Sequence, residues 1–495
     1  MAQITLRPYQ DDVLDRVILE LRDGKRRILV VAPTGSGKSQ MMAALIMSLV
    51  NAGKRVLVVA HLEQLITQLA ERLEQWVDPE LIGFIAGGRP KQYERPIQVA
   101  SVQTLARRRS LLEEYSFSAC LIDEAHIGSF AKSMGPVFAA GFRGAALGWT
   151  ATPVRLSKRE SMADRYEVLV PGPTPQELTD MGFLCQMRYW SLPGGIDVTS
   201  VHVQAGEFKS NELESVSNTE HMRAHALEEW ARLATDEKVG SKVGRITLCF
   251  CCTKQHAQDM AAAFCDRFGE GTAAAVDADT PIKERRELYK RHADPSDPLT
   301  ILTSINVISI GYDSPVVSAI LALRATASES IWIQAIGRGS RIWKGKGECR
   351  IIDCCGNTRR HGVLTDQGDN WVLRPADDVE RGEAPHKFCE KCGALNHAAA
   401  PACSECDAVF PKKPKAERAA KKLEELKAGS KEDRRKAKFH GYCRQAFKKR
   451  YRPKWAEMKF RDAVGQHPPG SWRLGAIFGP EPTQKNLGEY ALQLG

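Results

Sequence analysis

A glycine-rich turn between an apolar run and a helix-forming segment constrains the fold of this chain more than any other feature. The apolar run is Ile28 to Val31, the turn is the sequence APTGSGKS at residues 32–39, and the helix-forming segment is Met41 to Val50. In that order, backbone N–H groups and a helix N-terminus surround an anion, so the pattern predicts a phosphate-binding loop in a parallel α/β sheet. The turn carries Ala32 where the usual pattern has glycine. The residues expected to bind a nucleotide are Thr34, Gly35, Ser36, Gly37, Lys38 on the β- and γ-phosphates, and Ser39 on Mg²⁺.

A second apolar run, from Cys120, ends in the adjacent carboxylates Asp123 and Glu124. Phosphoryl transfer needs one acidic group that holds Mg²⁺ and another that orients and activates the attacking water. We assign the first role to Asp123 and the second to Glu124. A solvated strand end is the alternative interpretation, but the phosphate-binding loop upstream favours catalysis.

Seven further short motifs surround these two in an order that resembles superfamily 2 helicases from about residue 3 to residue 375. They are the Q motif at residues 6–10, motif Ia at 58–65, motif Ib at 100–104, motif III at 148–153, motif IV at 247–251, motif V at 303–315 and motif VI at 334–341. Each motif alone is weak evidence, whereas the ordered set is very specific.

Within that superfamily, the chain is similar to RadD-type bacterial DNA-repair helicases and to related helicases of phages and prophages. The residues that carry this likeness are 6–10, 61–65, 337–341, 351–353 and 356–357, with a cysteine-rich segment after the helicase core. Motif II here reads DEAH at residues 123–126, and the C-terminal part is shorter and differently composed than in the repair helicases. The likeness implies the same motor chemistry and an expected role in replication, recombination or repair.

The resemblance implies two RecA-like lobes, residues 1–190 and 191–375, with ATP and Mg²⁺ between them. It assigns the Gln10 amide, which both donates and accepts hydrogen bonds, to the adenine edge. It makes Arg338 and Arg341 arginine fingers that stabilise the γ-phosphate charge when the lobes close. The spacing of these arginines also suits a solvated basic helix face, but their Gln-x-x-Gly-Arg context favours catalysis.

Other motif residues are expected to act between the ATP site and the nucleic acid. The hydroxyls of Thr150 and Thr152, with His126, are expected to couple motif III to motif II, although a capped turn before Pro153 is the alternative. We assign Gly311 and Asp313 of motif V to binding, because glycine permits close backbone approach to a phosphate or sugar. An ordinary turn is the alternative for Asp313.

Four cysteines in two C-x₂-C pairs, Cys389 with Cys392 and Cys403 with Cys406, predict a structural zinc ribbon at residues 384–410. Four thiolates leave no open position for catalysis. The segment is too short for a core of its own, so Zn²⁺ would supply its folding energy.

Positive charge is concentrated in the region that follows, residues 411–495. Its segment 411–461 has 20 Lys and Arg against 6 Asp and Glu, a balance of +14, whereas the whole chain carries +10. Residues 416–428 are predicted to form an exposed helix. From Phe439 to Phe460, aromatic residues alternate with cations, which is typical of surfaces that bind single strands. A small helical domain with its own aromatic core is the alternative, and the two are compatible.

Composition predicts a cytosolic protein, either in bacteria or in phage-infected cells, associated with the nucleoid. No apolar run reaches the roughly 18–20 residues that span a membrane, and the amino terminus lacks the basic and apolar regions of a signal peptide. We therefore expect no membrane partner. The 14 cysteines are then expected to be reduced or metal-bound.

These features predict an ATP-dependent DNA helicase or translocase with a zinc ribbon and a basic, mainly helical C-terminal region. Single-stranded or forked DNA is the expected partner. RNA and protein partners such as a single-strand-binding protein are also compatible with the sequence. Three alternatives remain: a duplex DNA translocase that does not separate strands, an RNA helicase, and a nucleic-acid-binding recruitment factor switched by ATP.

Overall fold

The computed structural model describes most of the chain up to residue 366 and short segments beyond it. The described residues are 4–60, 63–126, 135, 142–153, 162–192, 196–198, 200–204, 206–237, 239–305, 312, 314–366, 371, 373, 386–388, 395–397, 424–426, 439, 442–443, 456–458 and 460. They fall into two compact units, residues 1–365 with 372–426, and residues 366–371 with 427–495. Across these described ranges, no helix has the length and apolar character needed to cross a membrane.

A parallel sheet of seven strands occupies the N-terminal part of the first unit. Its strands are β1 (Arg27–Val31), β2 (Val56–Ala60), β3 (Ile82–Ile85), β4 (Ile97–Ser101), β5 (Ala119–Ile122), β6 (Ala145–Thr150) and β7 (Val168–Pro171). The accompanying helices are α1 (Pro8–Arg22), α2 (Lys38–Asn51), α3 (Glu63–Leu73), α4 (Val102–Arg107), α5 (Ser110–Glu114) and α6 (Pro175–Asp180). The strand order is β3-β4-β2-β5-β6-β1-β7, and every neighbouring pair is parallel.

A second sheet of seven strands follows in the same unit. The strands from here on are β8 (Gln186–Ser191), β9 (Val203–Gln204), β10 (Glu207–Phe208), β11 (Thr247–Phe250), β12 (Ala273–Val276), β13 (Ile301–Ser304), β14 (Ala319–Ala322), β15 (Glu348–Asp353), β16 (His386–Phe388), β17 (Leu395–His397) and β18 (Glu424–Leu426). The helices are α7 (Ser210–Ser217), α8 (Glu220–Ala234), α9 (Lys254–Phe268), α10 (Ile282–Ala293), α11 (Glu329–Gly337) and α12 (Asn357–His361). The order β12-β13-β11-β14-β15-β8-β18 is parallel except for β18, while β9–β10 and β16–β17 form small antiparallel hairpins.

Both sheets are apolar on both faces, as expected for parallel strands covered by helices. Every residue of β2 is buried, and Trp149 of β6 is fully buried in the core of the first sheet. In the second sheet, Trp230 of α8 packs edge-on against Phe264 of α9 at 5.3 Å and donates its indole N–H to Thr247 Oγ1 at 2.9 Å. We call residues 4–180 lobe 1 and residues 184–365 lobe 2, which confirms the expected pair of α/β lobes.

The lobe boundary expected at residues 190 and 191 falls inside a strand and is wrong by several residues. Strand β8 pairs in parallel with β15 along its whole length, from Gln186 with Glu348 to Ser191 with Asp353. Lobe 2 therefore begins before residue 186. The sequence misplaced the boundary because β8 precedes the cluster of turn residues that suggested it.

The helix expected at residues 416–428 is also wrong where the structure describes that segment. Residues Glu424–Leu426 form β18, which pairs antiparallel with β8 at the edge of the second sheet. Pairing at an edge strand satisfies backbone groups there and outweighs the helix propensity of Glu and Leu. Further along, the second unit has helical residues at 439, 442–443, 456–458 and 460, and Phe439 and Phe460 pack edge-on at 5.5 Å. The two aromatics therefore contribute to a core, which the alternative for this region required.

Candidate active site

The glycine-rich turn connects β1 to α2 as the sequence predicts. Gly35 and Gly37 have φ angles of 86° and 81°, a left-handed conformation that side chains rarely adopt, and Gly37 caps α2. Lys38 Nζ donates to the Ala32 carbonyl at 3.0 Å and to the Pro33 carbonyl at 3.2 Å. The ammonium group is thus held over the loop in which phosphates are expected.

Gln10 forms hydrogen bonds that hold this loop in place. Its Nε2 donates to the Ser36 carbonyl at 3.0 Å, its Oε1 accepts from the Arg7 N–H at 2.9 Å, and the Tyr9 hydroxyl donates to the same Ser36 carbonyl at 2.8 Å. A Cβ atom on Gly37 would lie 2.2 Å from Gln10 Nε2, so this approach requires glycine. The Gln10 amide keeps one N–H and one lone pair after these bonds, and its contact with adenine stays a prediction.

The acid pair lies just after β5. Asp123 Oδ1 accepts the backbone N–H of Glu124 at 3.0 Å, and Glu124 has a φ angle of 49°, which is uncommon outside glycine. Burial, and next the Glu124 carboxylate, raise the pKa of Asp123 to about 6. Glu124 Oε2 is buried and accepts no hydrogen bond from the described residues. A strained backbone and an unused buried acceptor are typical of a site completed by its substrate.

The lysine and the acid pair influence each other electrostatically. Burial is the largest cause that lowers the pKa of Lys38, while Glu124 and Asp123 oppose it. The positive charges of Arg338 and Arg72 add to the lowering. This concentration of cations fits the triphosphate of ATP.

The predicted Mg²⁺ ligands also fit their ion. Arg72 Nη1 donates to Ser39 Oγ at 3.3 Å, and the charge of Arg72 also favours the carboxylate form of Asp123 by lowering its pKa against the effect of burial. Hydroxyl and carboxylate oxygens are the donors that Mg²⁺ prefers. When bound, Mg²⁺ would neutralise charge that develops on the phosphates.

Helix α11 of lobe 2 contacts three motifs of lobe 1. Gln334 Nε2 lies 2.8 Å from His126 Nε2, and Ser330 Oγ lies 2.9 Å from Thr152 Oγ1. A Cβ atom on Gly337 would lie 3.0 Å from the Thr34 side chain, so the end of the helix rests against the phosphate-binding loop. The three positions are spaced i, i+4 and i+7, which places them on one face of the helix.

His126 joins this interface to the acid pair. Because an amide nitrogen only donates, His126 Nε2 accepts from Gln334, and the ring proton is on Nδ1. Nδ1 faces Thr150 Oγ1 at 2.9 Å and Glu124 Oε2 at 3.4 Å. The expected contact of motif III with motif II is therefore present through Thr150.

The two predicted arginine fingers lie next to the phosphate-binding loop. Arg338 caps the end of α11, and its Nη1 donates to the Tyr312 carbonyl at 3.3 Å. Arg341 forms a β-bridge with Leu184, and a Cβ atom on Gly35 would lie 3.8 Å from Arg341 Cγ. The structure brings both arginines to the loop, and their catalytic role stays a prediction.

Six predicted site residues lie outside the described residues. They are Gly311, Asp313, Cys389, Cys392, Cys403 and Cys406. Among the described residues, no three His, Cys, Asp or Glu side chains form a group that could hold a metal ion. Near the cysteines, the structure describes strands β16 and β17, which pair antiparallel.

Sequence reasoning gave no role to Arg72, Ser330 or Gln334. The polar residues Ser330 and Gln334 recur four residues apart on an otherwise apolar helix, and that spacing was a usable signal. Arg72 gave no signal, because a single cation near the end of an amphipathic helix is usually solvated.

Two family models match the chain over these regions. The model described as Type III restriction enzyme, res subunit, matches residues 3–155, which contain the phosphate-binding loop and the acid pair. The model of the Helicase conserved C-terminal domain matches residues 230–342, which end with motif VI. The chain is a superfamily 2 helicase.

Relatives of this helicase occur in fungi, phages and bacteria. A Saccharomyces cerevisiae protein named as ATP-dependent helicase IRC3 is 29% identical over 368 residues, 71% of this chain and 51% of that protein. A 51.5 kDa protein of a Lactococcus phage is 25% identical over 385 residues, 77% of this chain and 75% of that protein. The helicase thus spans about half the length of its yeast relative.

Solved structures of restriction enzymes share the fold of this helicase. A fragment of an HsdR subunit of a type I restriction enzyme from Vibrio vulnificus aligns with a TM-score of 0.56 at 22% identity, over 72% of this chain and 66% of that chain. The Type ISP restriction-modification enzyme LlaBIII, bound to DNA, aligns with a TM-score of 0.53 at 16% identity, over 70% and 27%. At these identities the likeness extends to the fold alone.

Proposed function

We propose that this helicase is a DNA-dependent ATPase that converts ATP hydrolysis between its lobes into movement along DNA or strand separation. The observation that carries the proposal is the contact of one helix, α11, with His126, Thr152 and the phosphate-binding loop. A change at the γ-phosphate therefore acts directly on the position of lobe 2. Such coupling is what a motor needs.

DNA is favoured over RNA as the track because several relatives act in DNA transactions by name. They include a restriction endonuclease subunit from Escherichia coli, the RecG DNA helicase of Acidithiobacillus ferridurans and LlaBIII in its DNA-bound form. The same restriction enzymes support a second candidate, translocation on duplex DNA without strand separation. A role in repair, recombination or phage replication, in the bacterial cytosol, follows from the likeness to RadD-type and phage helicases.

The zinc ribbon and the basic region are proposed as accessory DNA-binding parts. The antiparallel pairing of β16 with β17 supports the ribbon, because the first C-x₂-C pair lies between these two short strands in the sequence. The excess of Lys and Arg at 411–461 supports phosphate binding. Removal of residues 427–495 is expected to weaken DNA binding and flatten its dependence on salt; an unchanged slope would contradict this role.

The proposal is tested by ATP hydrolysis of the full chain in the presence of four nucleic acids: single-stranded DNA, forked DNA, blunt duplex DNA and RNA. Stimulation by single-stranded or forked DNA, followed by strand displacement, would support a helicase. Stimulation by blunt duplex without displacement would support the duplex translocase, and a requirement for RNA 2′-hydroxyls would support an RNA helicase. ATP-dependent binding without any movement would instead support the recruitment factor.

A further inference from the structure

Arg72 contacts the nucleotide site although it belongs to none of the residues assigned to that site. It lies one residue before the end of α3, and its guanidinium group donates to the hydroxyl oxygen of Ser39 at 3.3 Å. Ser39 is the second residue of α2 and the predicted hydroxyl ligand of Mg²⁺. The oxygen that a metal ion would need is therefore engaged by a cation of the protein itself.

The charge of Arg72 acts on both sides of the site. Burial is the main cause that lowers the pKa of Lys38, and Arg72 contributes to that lowering. Burial also dominates the raised pKa of Asp123, which Arg72 opposes by favouring the carboxylate. Together with its hydrogen bond to Ser39, these effects identify Arg72 as a cation of the nucleotide site.

We propose that Arg72 is a positioning residue of the nucleotide site that competes with the divalent cation for Ser39 Oγ. A hydroxyl oxygen that accepts from a guanidinium group cannot also contact a dication without placing two positive groups at one small atom. Arg72 therefore holds Ser39 in place until a metal ion arrives, and then leaves the oxygen. Its planar set of N–H donors matches phosphate oxygens, so the displaced side chain remains a phosphate ligand. This inference rests on the ATP site proposed above.

A purely structural role for Arg72 makes different predictions. If the bond to Ser39 only tied α3 to α2, its loss would lower stability and leave the metal requirement of nucleotide binding unchanged. Competition for the oxygen instead predicts a change in metal dependence. Equilibrium binding separates the two roles without relying on hydrolysis.

The experiment measures binding of a fluorescent ADP analogue to the full chain, in EDTA and across a Mg²⁺ titration. We expect Arg72→Met to weaken metal-free binding about tenfold, because one charge-assisted phosphate contact is lost. We also expect the Mg²⁺ concentration for half-saturation to fall several-fold, because the competitor is gone. Arg72→Lys should show smaller changes in the same directions, since lysine keeps the positive charge but lacks the planar set of N–H donors of the guanidinium group.

Two controls make each outcome decisive. Glu71→Gln alters the neighbouring exposed residue of α3 and should match the wild type in both titrations. In a Ser39→Ala background, Arg72→Met should no longer shift the Mg²⁺ dependence. Unchanged titrations for folded Arg72→Met and Arg72→Lys would overturn the inference alone. Failure of the wild type to bind the analogue with Mg²⁺ would overturn the ATP site itself.

Discussion

The two lobes have similar sheets but use the carboxyl ends of their strands differently. In lobe 1, that edge carries Lys38 and the acid pair, and burial lowers the pKa of Lys38 and raises that of Asp123. In lobe 2, His256 follows β11 at that edge and bonds Cys252 at 3.0 Å, whereas His292 lies at the opposite edge, where it bonds the Thr247 carbonyl at 3.1 Å and the Tyr312 hydroxyl at 2.7 Å. Burial lowers the pKa of His256 to about 4 and that of His292 to about 3, so both stay neutral. The carboxyl edge of lobe 1 carries charged groups, whereas His256 at the carboxyl edge of lobe 2 is neutral and bonds a neighbouring cysteine.

The shared α/β architecture therefore does not determine the chemistry of a lobe. The residues that follow each strand determine it. Lobe 1 can hold the nucleotide and the metal with its own groups. Lobe 2 acts on that site through one face of α11 and the two arginines after it. Variants in the two lobes should therefore fail in different ways.

The largest effect is expected for Lys38→Ala in lobe 1. Both nucleotide binding and charge stabilisation depend on this ammonium group, so ATP hydrolysis should fall to background, at least about 10²–10³-fold. The measurement is steady-state hydrolysis with saturating DNA. Lys54→Ala, in the exposed turn after α2, is the matched control and should retain activity. Near wild-type turnover in Lys38→Ala would remove the catalytic site from lobe 1.

Arg338→Ala in lobe 2 should reduce turnover by about 10³-fold while nucleotide affinity changes far less. The reason is that a finger from lobe 2 acts on the transition state, whereas lobe 1 supplies ground-state binding. Single-turnover hydrolysis and equilibrium nucleotide binding separate the two quantities. The exposed Arg359 of α12, changed to Ala, controls for loss of a positive charge. A parallel loss of affinity and turnover would erase the distinction between the lobes.

Acid should destabilise lobe 2 through its buried neutral histidines. Below pH 6.5 the unfolded chain binds protons at His256 and His292, while the folded chain does not until about pH 4 and pH 3. Stability is therefore lost as pH falls from about 6.5, by about 2 kcal/mol per histidine at pH 5. Hydrogen exchange of peptides from β11 and β13 at pH 7 and pH 5 measures it.

A glutamine variant of each histidine tests the cause of this acid sensitivity. His292→Gln should lower stability at pH 7 and flatten its decline toward pH 5. His221→Gln, at an exposed position of α8, should change neither. An equal pH dependence in His292→Gln and wild type would assign the acid sensitivity to other groups.

Gln334→Ala should weaken the coupling between the lobes while nucleotide binding is retained. It removes the bond to His126 and should lower DNA-stimulated hydrolysis roughly tenfold, with nucleotide affinity retained. Glu329→Gln, an exposed position on the same helix, is the control. The double variant with Gln334→Ala and Ser330→Ala should lose less DNA-stimulated hydrolysis than the product of the two single fold-losses, because both hydrogen bonds hold the same face of the helix. Fold-losses that multiply in the double variant would mean that each hydrogen bond couples the lobes independently of the other.

Much of lobe 1 was predictable because its chemistry depends on short, contiguous sequence. The strand, the glycine-rich turn and the helix at residues 28–50 leave few alternatives, and Asp123 and Glu124 directly follow a buried strand. The start of lobe 2 was harder, since β8 is defined by pairing with β15, more than 150 residues later. Likewise, β18 forms only because an edge strand is available to it.

The interface between the lobes was predictable only in part. Motif order indicated that Arg338 and Arg341 reach the phosphate-binding loop; Arg341 lies beside Gly35 of the loop, while the guanidinium group of Arg338 donates to the Tyr312 carbonyl. The bond of Gln334 to His126 joins residues 208 apart, and that of Arg72 to Ser39 joins helices whose contact depends on sheet order. The spacing of Ser330 and Gln334 marks one face of the helix but does not identify their partners, and Arg72 alone looks like an ordinary polar residue.

The smallest effect is expected where the lobes touch at the surface. Arg286 of α10 and Glu71 of α3 form an ion pair at 2.9 Å, with both side chains more than half exposed. Solvent and salt screen such a pair, so Arg286→Ala should change the free energy of unfolding by less than about 1 kcal/mol. Thermal unfolding and DNA-stimulated hydrolysis at low and high salt are the measurements. If Arg286→Ala lowered hydrolysis as much as Gln334→Ala, the lobes would communicate over a broad surface. The small effect expected here would instead restrict coupling to the buried face of α11.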